Sequence, residues 1–189
     1  LYSALIALCV NNSVPLLTLN KRRLLAVKKN LILAYDLGTT GNKTTVFDSN
    51  GNIKTSSTVS YETYYPKPGW VEQNASHWWQ STIQTTRQIL DCFNIHPSDI
   101  SAISLCGHMM GCVPIDHFGN PLHNSLIHSD VRSQRELSLI ESVINSESLY
   151  KLSGMRVDAR NIISKILWFY QNHRKIYNNT AFFLQCKDY

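Results

Sequence analysis

An apolar run and a β-branched run are joined by Asp36-Leu37-Gly38-Thr39-Thr40-Gly41-Asn42-Lys43. A glycine-rich turn between strands directs backbone N–H groups outward, where they can face phosphate oxygens. Gly38 and Gly41 let the backbone come close with no side chain in the way. Thr39 and Thr40 add hydroxyl donors, and Lys43 adds a point charge. Asp36, at the end of a buried strand, is placed to hold Mg²⁺ through water. Neither GxxxxGK[ST] nor GxGxxG occurs. Residue types alone therefore leave two readings open, a plain hairpin and a phosphate cradle.

A second group of residues could shape a pocket. Gly107-His108-Met109-Met110-Gly111 follows an apolar run, and methionines of this kind commonly fill irregular gaps in cores. Asp130 precedes a helical pattern and could cap it, pair with Arg132, or face a ligand. The five cysteines form an odd set without CxxC spacing. That argues against a zinc site or a disulfide framework, and for free thiols in a reducing, cytoplasmic compartment.

The elements that must position these residues read as α/β. Residues 31–35 fit a buried strand, 44–47 a β-branched one, and Asn50-Gly51 marks a hairpin leading to a third strand over 53–61. Residues 64–70 hold two prolines and a glycine and read as loop. Asn74 fits an N-cap for a helix to about residue 92, with Trp78, Trp79, Ile83, Ile89 and Leu90 along one side. Further strands are expected at 100–105, 112–115, 125–128 and 181–184. Helices are expected at about 131–144, 146–152 and 162–175. Strands first, then strands alternating with helices, argue for a mixed sheet.

The net charge of +5 sits in the first 30 residues, where Lys21, Arg22, Arg23, Lys28 and Lys29 meet no acid. The body from residue 31 onward is neutral, which argues against a nucleic-acid partner. The best apolar stretch, residues 1–10, is too short to span a bilayer, so no membrane partner is expected. Residues 1–30 are read as a leader or extension outside the fold, whose basic residues follow the apolar run where a secretory signal would have them before it.

The order of the motifs resembles the FGGY family of carbohydrate kinases. The segment from Asp36 to Asp48 resembles that family's first phosphate motif, an aspartate, then GT[TS], then a basic residue two or three positions on. Trp70-Val-Glu-Gln-Asn and Trp78-Trp79 resemble its W-x-E-Q-D/N…WW segment. Ile103 to Cys112 resembles its sugar-contacting strand-loop, and Asp130-Val-Arg132 its D-x-R. Leu167-Trp168 and the terminal Lys187-Asp188-Tyr189 resemble its later helix and K/S-D-Y/W strand. These islands run in order from residue 31 to residue 189.

The resemblance implies an actin-like (ribonuclease H-like) ATPase lobe, with a mixed sheet flanked by helices, over 31–189. It implies a sugar kinase using ATP and Mg²⁺, with Asp36 supporting the metal through water. Gly38, Thr39, Thr40 and Lys43 are then expected on the phosphates, and Met109, Met110, Asp130 and Trp70 on the sugar. The Gly107–Gly111 segment is closest to the G-Q-M-H-G of the xylulokinase branch, with His108 in place of Gln and Met110 in place of His, so a pentulose is the expected substrate. The family's base is an aspartate in a G-x-x-D-x-x-A-like segment, and neither Asp158 nor Asp188 occupies such a segment. The chain therefore reads as a first-lobe piece, expected to be inactive alone. Its partner beyond the sugar is expected to be the missing C-terminal half or a second copy. The alternative is a non-catalytic sugar-binding remnant; the intact phosphate turn favours the kinase.

Overall fold

Alternating apolar residues set the first sheet, and short polar hairpins set its order. A computed structural model describes residues 30–189; the leader reading lies outside the described residues, Asn30 excepted. The strands are β1 (Leu31–Leu37), β2 (Gly41–Phe47), β3 (Ile53–Ser60), β4 (Glu72–Gln73), β5 (Ile100–Gly107), β6 (Val113–Ile115), β7 (Ser125–Leu126) and β8 (Phe182–Leu184). The helices are α1 (Ala75–Cys92), α2 (Gln134–Val143), α3 (Ser146–Ser153), α4 (Ile162–Asn172) and α5 (Arg174–Asn179). The chain divides into two units. Among the described residues, one comprises those up to Ser60 with Gln80–Cys106, the other Tyr61–Trp79 with Gly107–Tyr189.

In the first unit the mixed sheet runs β3-β2-β1-β5. β1 and β2 pair antiparallel, as do β2 and β3, so the expected triple hairpin is present. Leu31, Leu33, Tyr35 and Val46 point to one face and pack with Ile89, Ile95 and Ile100. The period of two along each strand places Asp36 and Lys43 on the other face, and both are exposed.

Asn74 does cap α1, its Oδ1 accepting from the Ser76 N–H at 3.0 Å. The helix face differs from the expected apolar stripe. Of the five residues named for it, only Trp78 and Ile89 are buried, and Ser81, Thr82, Thr85 and Thr86 are buried with them. These hydroxyls meet polar strand residues. Thr44 Oγ1 donates to Thr85 Oγ1 at 2.7 Å, the Tyr35 hydroxyl bonds Thr86 Oγ1 at 2.6 Å, and Asn42 Nδ2 donates to Thr82 Oγ1 at 3.2 Å. A buried polar group is tolerated where it is paired, and pairing here lets a threonine-rich helix face lie on a sheet.

In the second unit β4 pairs with β7 and β6 with β8, both antiparallel. Cys112, Leu126, Trp168 and Phe169 form its core, with Trp70, Ile166, Ile176 and Phe183 packed against them. The helix expected over 162–175 breaks at His173, whose backbone leaves helical geometry (φ −134°, ψ 56°) while its ring packs on Trp168 at 4.9 Å. The same five-residue hairpin closes both β2–β3 and the loop after β6. Asp48 Oδ1 accepts from the N–H of Asn50 and of Asn52, and Asp116 Oδ1 from the N–H of Phe118 and of Asn120. Gly51 and Gly119 take the positive φ that each turn requires (83° and 85°). Among the described residues the four cysteines are free, and no helix is long and apolar enough to cross a membrane.

Candidate active site

The glycine-rich turn is tighter than the sequence suggests. β1 continues through Asp36 to Leu37 and β2 begins at Gly41, so only residues 38–40 turn, closed by Gly38 N–H donating to the Gly41 carbonyl at 3.0 Å. Lys43 is therefore a strand residue, paired across the ladder with Asp36, rather than part of the turn. Thr39 and Thr40 are exposed at the tip. Gly41 has a reason of its own. A Cβ there would stand 2.7 Å from the Val59 carbonyl oxygen and 3.0 Å from Ser60 Cα, so the approach of β3 requires glycine. An exposed carboxylate, an exposed ammonium and two exposed threonines thus share one end of the hairpin. That donor set suits a triphosphate and a hydrated Mg²⁺.

The residues expected on the sugar belong to the second unit. Met110 takes a positive φ of 61°, uncommon for a residue with a side chain. Two bonds hold it there: its N–H donates to Gln185 Oε1 at 3.0 Å, and its carbonyl accepts from Lys165 Nζ at 2.6 Å. Met109, on the same loop, is 62% exposed. It does not fill a core; it is an apolar side chain presented to solvent by a loop fixed beside it.

Trp70 is half-buried, with Arg132 Cζ 3.7 Å and Lys67 Nζ 4.7 Å from its ring centre and Trp168 packed edge-on at 5.5 Å. Asp130 pairs with Arg132, and the helix-cap reading is corrected: the residue before α2 is Ser133, and its side chain makes no cap bond. Asp130 Oδ2 accepts from the Val71 N–H at 2.6 Å and from Arg132 Nη2 at 2.7 Å, while Oδ1 accepts from the Arg132 N–H and Nε. Arg132 Nη2 also donates to Glu72 Oε1 at 2.8 Å. The side chains of Asp130 and Arg132 are both fully buried. A direct ligand contact from Asp130 would have to displace one of these bonds.

Beside this network His108 lies edge-on to Trp78 at 5.3 Å and 6.4 Å from the His128 ring. Neither nitrogen of its ring makes a hydrogen bond of good geometry. Burial, then the neighbouring His128 and Lys165, push its pKa down to about 4, against an opposing pull from the Met109 backbone. The folded chain therefore holds His108 neutral where the unfolded chain takes up a proton near pH 6.5. Stability should fall as pH drops from about 6.5 to about 4, by on the order of 2 kcal/mol once partial solvent screening is allowed for. Urea unfolding at a series of pH values checks this: His108→Gln should remove that part of the slope, and an unchanged slope would contradict it.

Lys165 is the residue that sequence reasoning passed over. Its side chain is fully buried, and Nζ donates to the carbonyls of Met110 and Ile127 at 2.6 and 2.7 Å. Burial draws its pKa down to about 8, with Cys112 and Asp130 pulling the other way. A signal was present: Lys165 sits on the apolar stripe of α4, three residues after Ile162 and four before Phe169. Gln185 carried no comparable mark, whereas Arg132 and Glu72 both lie in segments that the sequence singled out and only their pairing with each other is new.

Comparison with known proteins identifies the family and the fold. Residues 31–189 match the model of the FGGY family of carbohydrate kinases, N-terminal domain. The chain is 30% identical to a xylulose kinase from Staphylococcus xylosus over 158 residues, 84% of this chain and 32% of that protein. It is 32% identical to a glycerol kinase from Rhodopirellula baltica over 152 residues, 80% of this chain and 28% of that protein. The chain thus spans about a third of the length of the curated relatives it matches. Among solved structures, a xyloylose kinase from Brucella ovis superposes with a TM-score of 0.79 at 24% identity, covering 84% of this chain and 33% of that one. The glycerol kinase of Plasmodium falciparum, solved with ADP, gives a TM-score of 0.74 at 21% identity, covering 84% and 33%. The fold is accordingly the actin-like one, and the chain belongs to the FGGY family of carbohydrate kinases, in the region of its N-terminal domain.

Proposed function

We propose that this chain forms part of an ATP-dependent kinase that phosphorylates a hydroxyl of a small sugar, a pentulose such as xylulose. The observation that carries the reading is the loop of residues 107–111, fixed by Gln185 and Lys165 with Met109 left exposed. Met109 and Met110 would line the sugar. Trp70 and Asp130, the other two residues expected on the sugar, hold Arg132 between them, the ring stacked on the guanidinium and the carboxylate neutralising it.

Gly38, Thr39, Thr40 and Lys43 would hold the phosphates of ATP, and Asp36 would hold Mg²⁺ through water. When bound, ATP supplies the phosphoryl group, and the metal neutralises the charge that develops on it. The protein's own task is positioning in a water-poor site. Residues 1–189 contain no carboxylate in the glycine-led segment that the resemblance assigns to the base, so that group would come from outside them, in a further lobe or a partner chain. The exposed Asp36 and Lys43 support this reading over a sugar-binding remnant, which has no use for phosphate contacts. The free thiols support a cytoplasmic setting.

Calorimetric titration of the 189-residue chain with D-xylulose and with glycerol tests the proposal, followed by an assay of sugar-dependent ADP release. D-xylulose is expected to bind weakly and glycerol more weakly still, with ADP release at background. Failure of both sugars to bind would overturn the reading, and vigorous ADP release would overturn the assignment of the base to residues outside this chain.

A further inference from the structure

Two pieces of the second unit that are remote in sequence meet at one atom. The carbonyl of Met110, on the loop after β5, and that of Ile127, just past β7, both accept from Lys165 Nζ. Each stands beside proposed pocket residues. Met109 precedes Met110, and Asp130 donates structure to the turn that follows Ile127, where its own N–H bonds the Ile127 carbonyl at 3.0 Å. One backbone bridge already joins the two stretches, Cys112 and Leu126 exchanging N–H to carbonyl bonds at 3.0 Å each, and the ammonium extends that tie to the flanking carbonyls of Met110 and Ile127.

We propose that Lys165 is the positioning residue of the sugar pocket: its buried ammonium ties the 107–111 loop to the chain at Ile127 and so fixes the spacing of the pocket walls. This rests on the sugar-kinase reading above and adds a residue to it. The fixed positive φ of Met110 follows from the same tie, since the carbonyl must face α4 for the bond to form.

The groups that face the ammonium decide how it responds to pH. Cys112 beside β6, Asp130 after β7 and Asp158 before α4 favour the charged form, and Arg132 opposes it. His108 on the loop feels the lysine as a like charge. With its pKa drawn down to about 8, Lys165 loses its proton at moderately alkaline pH. Two charge-assisted bonds then become ordinary amine bonds, roughly half as strong. The tie loosens and the walls drift.

The test is titration of the native chain and of Lys165→Met with D-xylulose at about pH 7 and about pH 9.5. The native chain should lose affinity about threefold between the two pH values. Lys165→Met should bind about tenfold more weakly at neutral pH and show no such pH dependence. Ile176→Ala, which trims the same core from α5 and touches neither the ammonium nor the two carbonyls it bonds, serves as the control for general destabilisation and should keep native affinity. If Lys165→Met unfolds, the pH profile of the native chain and the Met110 amide resonance, which should shift between the two pH values, still decide. Native affinity in Lys165→Met, or a flat profile in the native chain, would overturn the positioning role while leaving the sugar reading intact. No sugar binding by the native chain would instead overturn the reading beneath it.

Discussion

Asp130→Ala is expected to destabilise the second unit by about 3–5 kcal/mol, the range for removing one partner of a buried ion pair. The substitution takes away a carboxylate whose two oxygens accept from the Val71 N–H and from Arg132. It leaves a guanidinium whose side chain is fully buried facing Glu72 alone. Trp70 cannot substitute, because stacking supplies no acceptor for the freed N–H groups. A loss of that size is a large share of the roughly 5–15 kcal/mol by which domains are stable. Urea unfolding of the native chain and the variant measures it. Replacing Asp130 and Arg132 together by Leu and Met should cost far less, since an apolar pair leaves no charge stranded. A loss under about 1 kcal/mol for Asp130→Ala would show that the network is not what holds this part of the chain.

Gly41→Ala carries the second large effect, in the first unit. The new methyl would meet the Val59 carbonyl oxygen at 2.7 Å and Ser60 Cα at 3.0 Å. Both belong to the backbone of β3, which cannot rotate aside as a side chain would. β2 and β3 must part where their ladder begins, directly beside the turn at residues 38–40, at a cost of about 2–3 kcal/mol. Gly51→Ala offers a contrast with a different cause. Its Cβ would meet nothing, yet φ is 83°, so the cost is backbone strain alone, about 1–2 kcal/mol. Urea midpoints with amide shifts at Thr39 and Thr40 separate the two. Gly41→Ala should move the turn's resonances and Gly51→Ala should not; a turn left unmoved by Gly41→Ala would contradict the packing account.

The first hairpins were legible because local chemistry dictates them. Alternation places Leu33 and Tyr35 inside and Asp36 outside, and Asn50-Gly51 supplies the positive φ that the turn demands. The face of α1 was misread for a physical reason. Ser81, Thr82, Thr85 and Thr86 look like a solvent face, and only Tyr35, Asn42 and Thr44 on the facing strands make them a buried one. β4 was missed because two residues carry no period; its existence depends on β7, more than fifty residues on.

The site was half visible. Met109 and Met110 stood out only through the spacing of their flanking glycines and the resemblance. Lys165 and Gln185, which hold their loop, did not, because lysine and glutamine default to the surface unless a partner is known. Lys165 finds its carbonyl partners, and Arg132 its second carboxylate Glu72, only in the folded chain. Asp130 illustrates the limit: three roles fitted the sequence equally, and the geometry of Val71 and Arg132 removed the helix cap.

Mapping D-xylulose onto the chain by amide chemical shifts tests the central claim most directly. The account predicts that residues 107–111, together with Trp70 and the turn at Asp130, move on titration while α3 and the Asp116 hairpin stay still. Shifts confined to the Asp116 hairpin or α3, or none at saturating sugar, would contradict it.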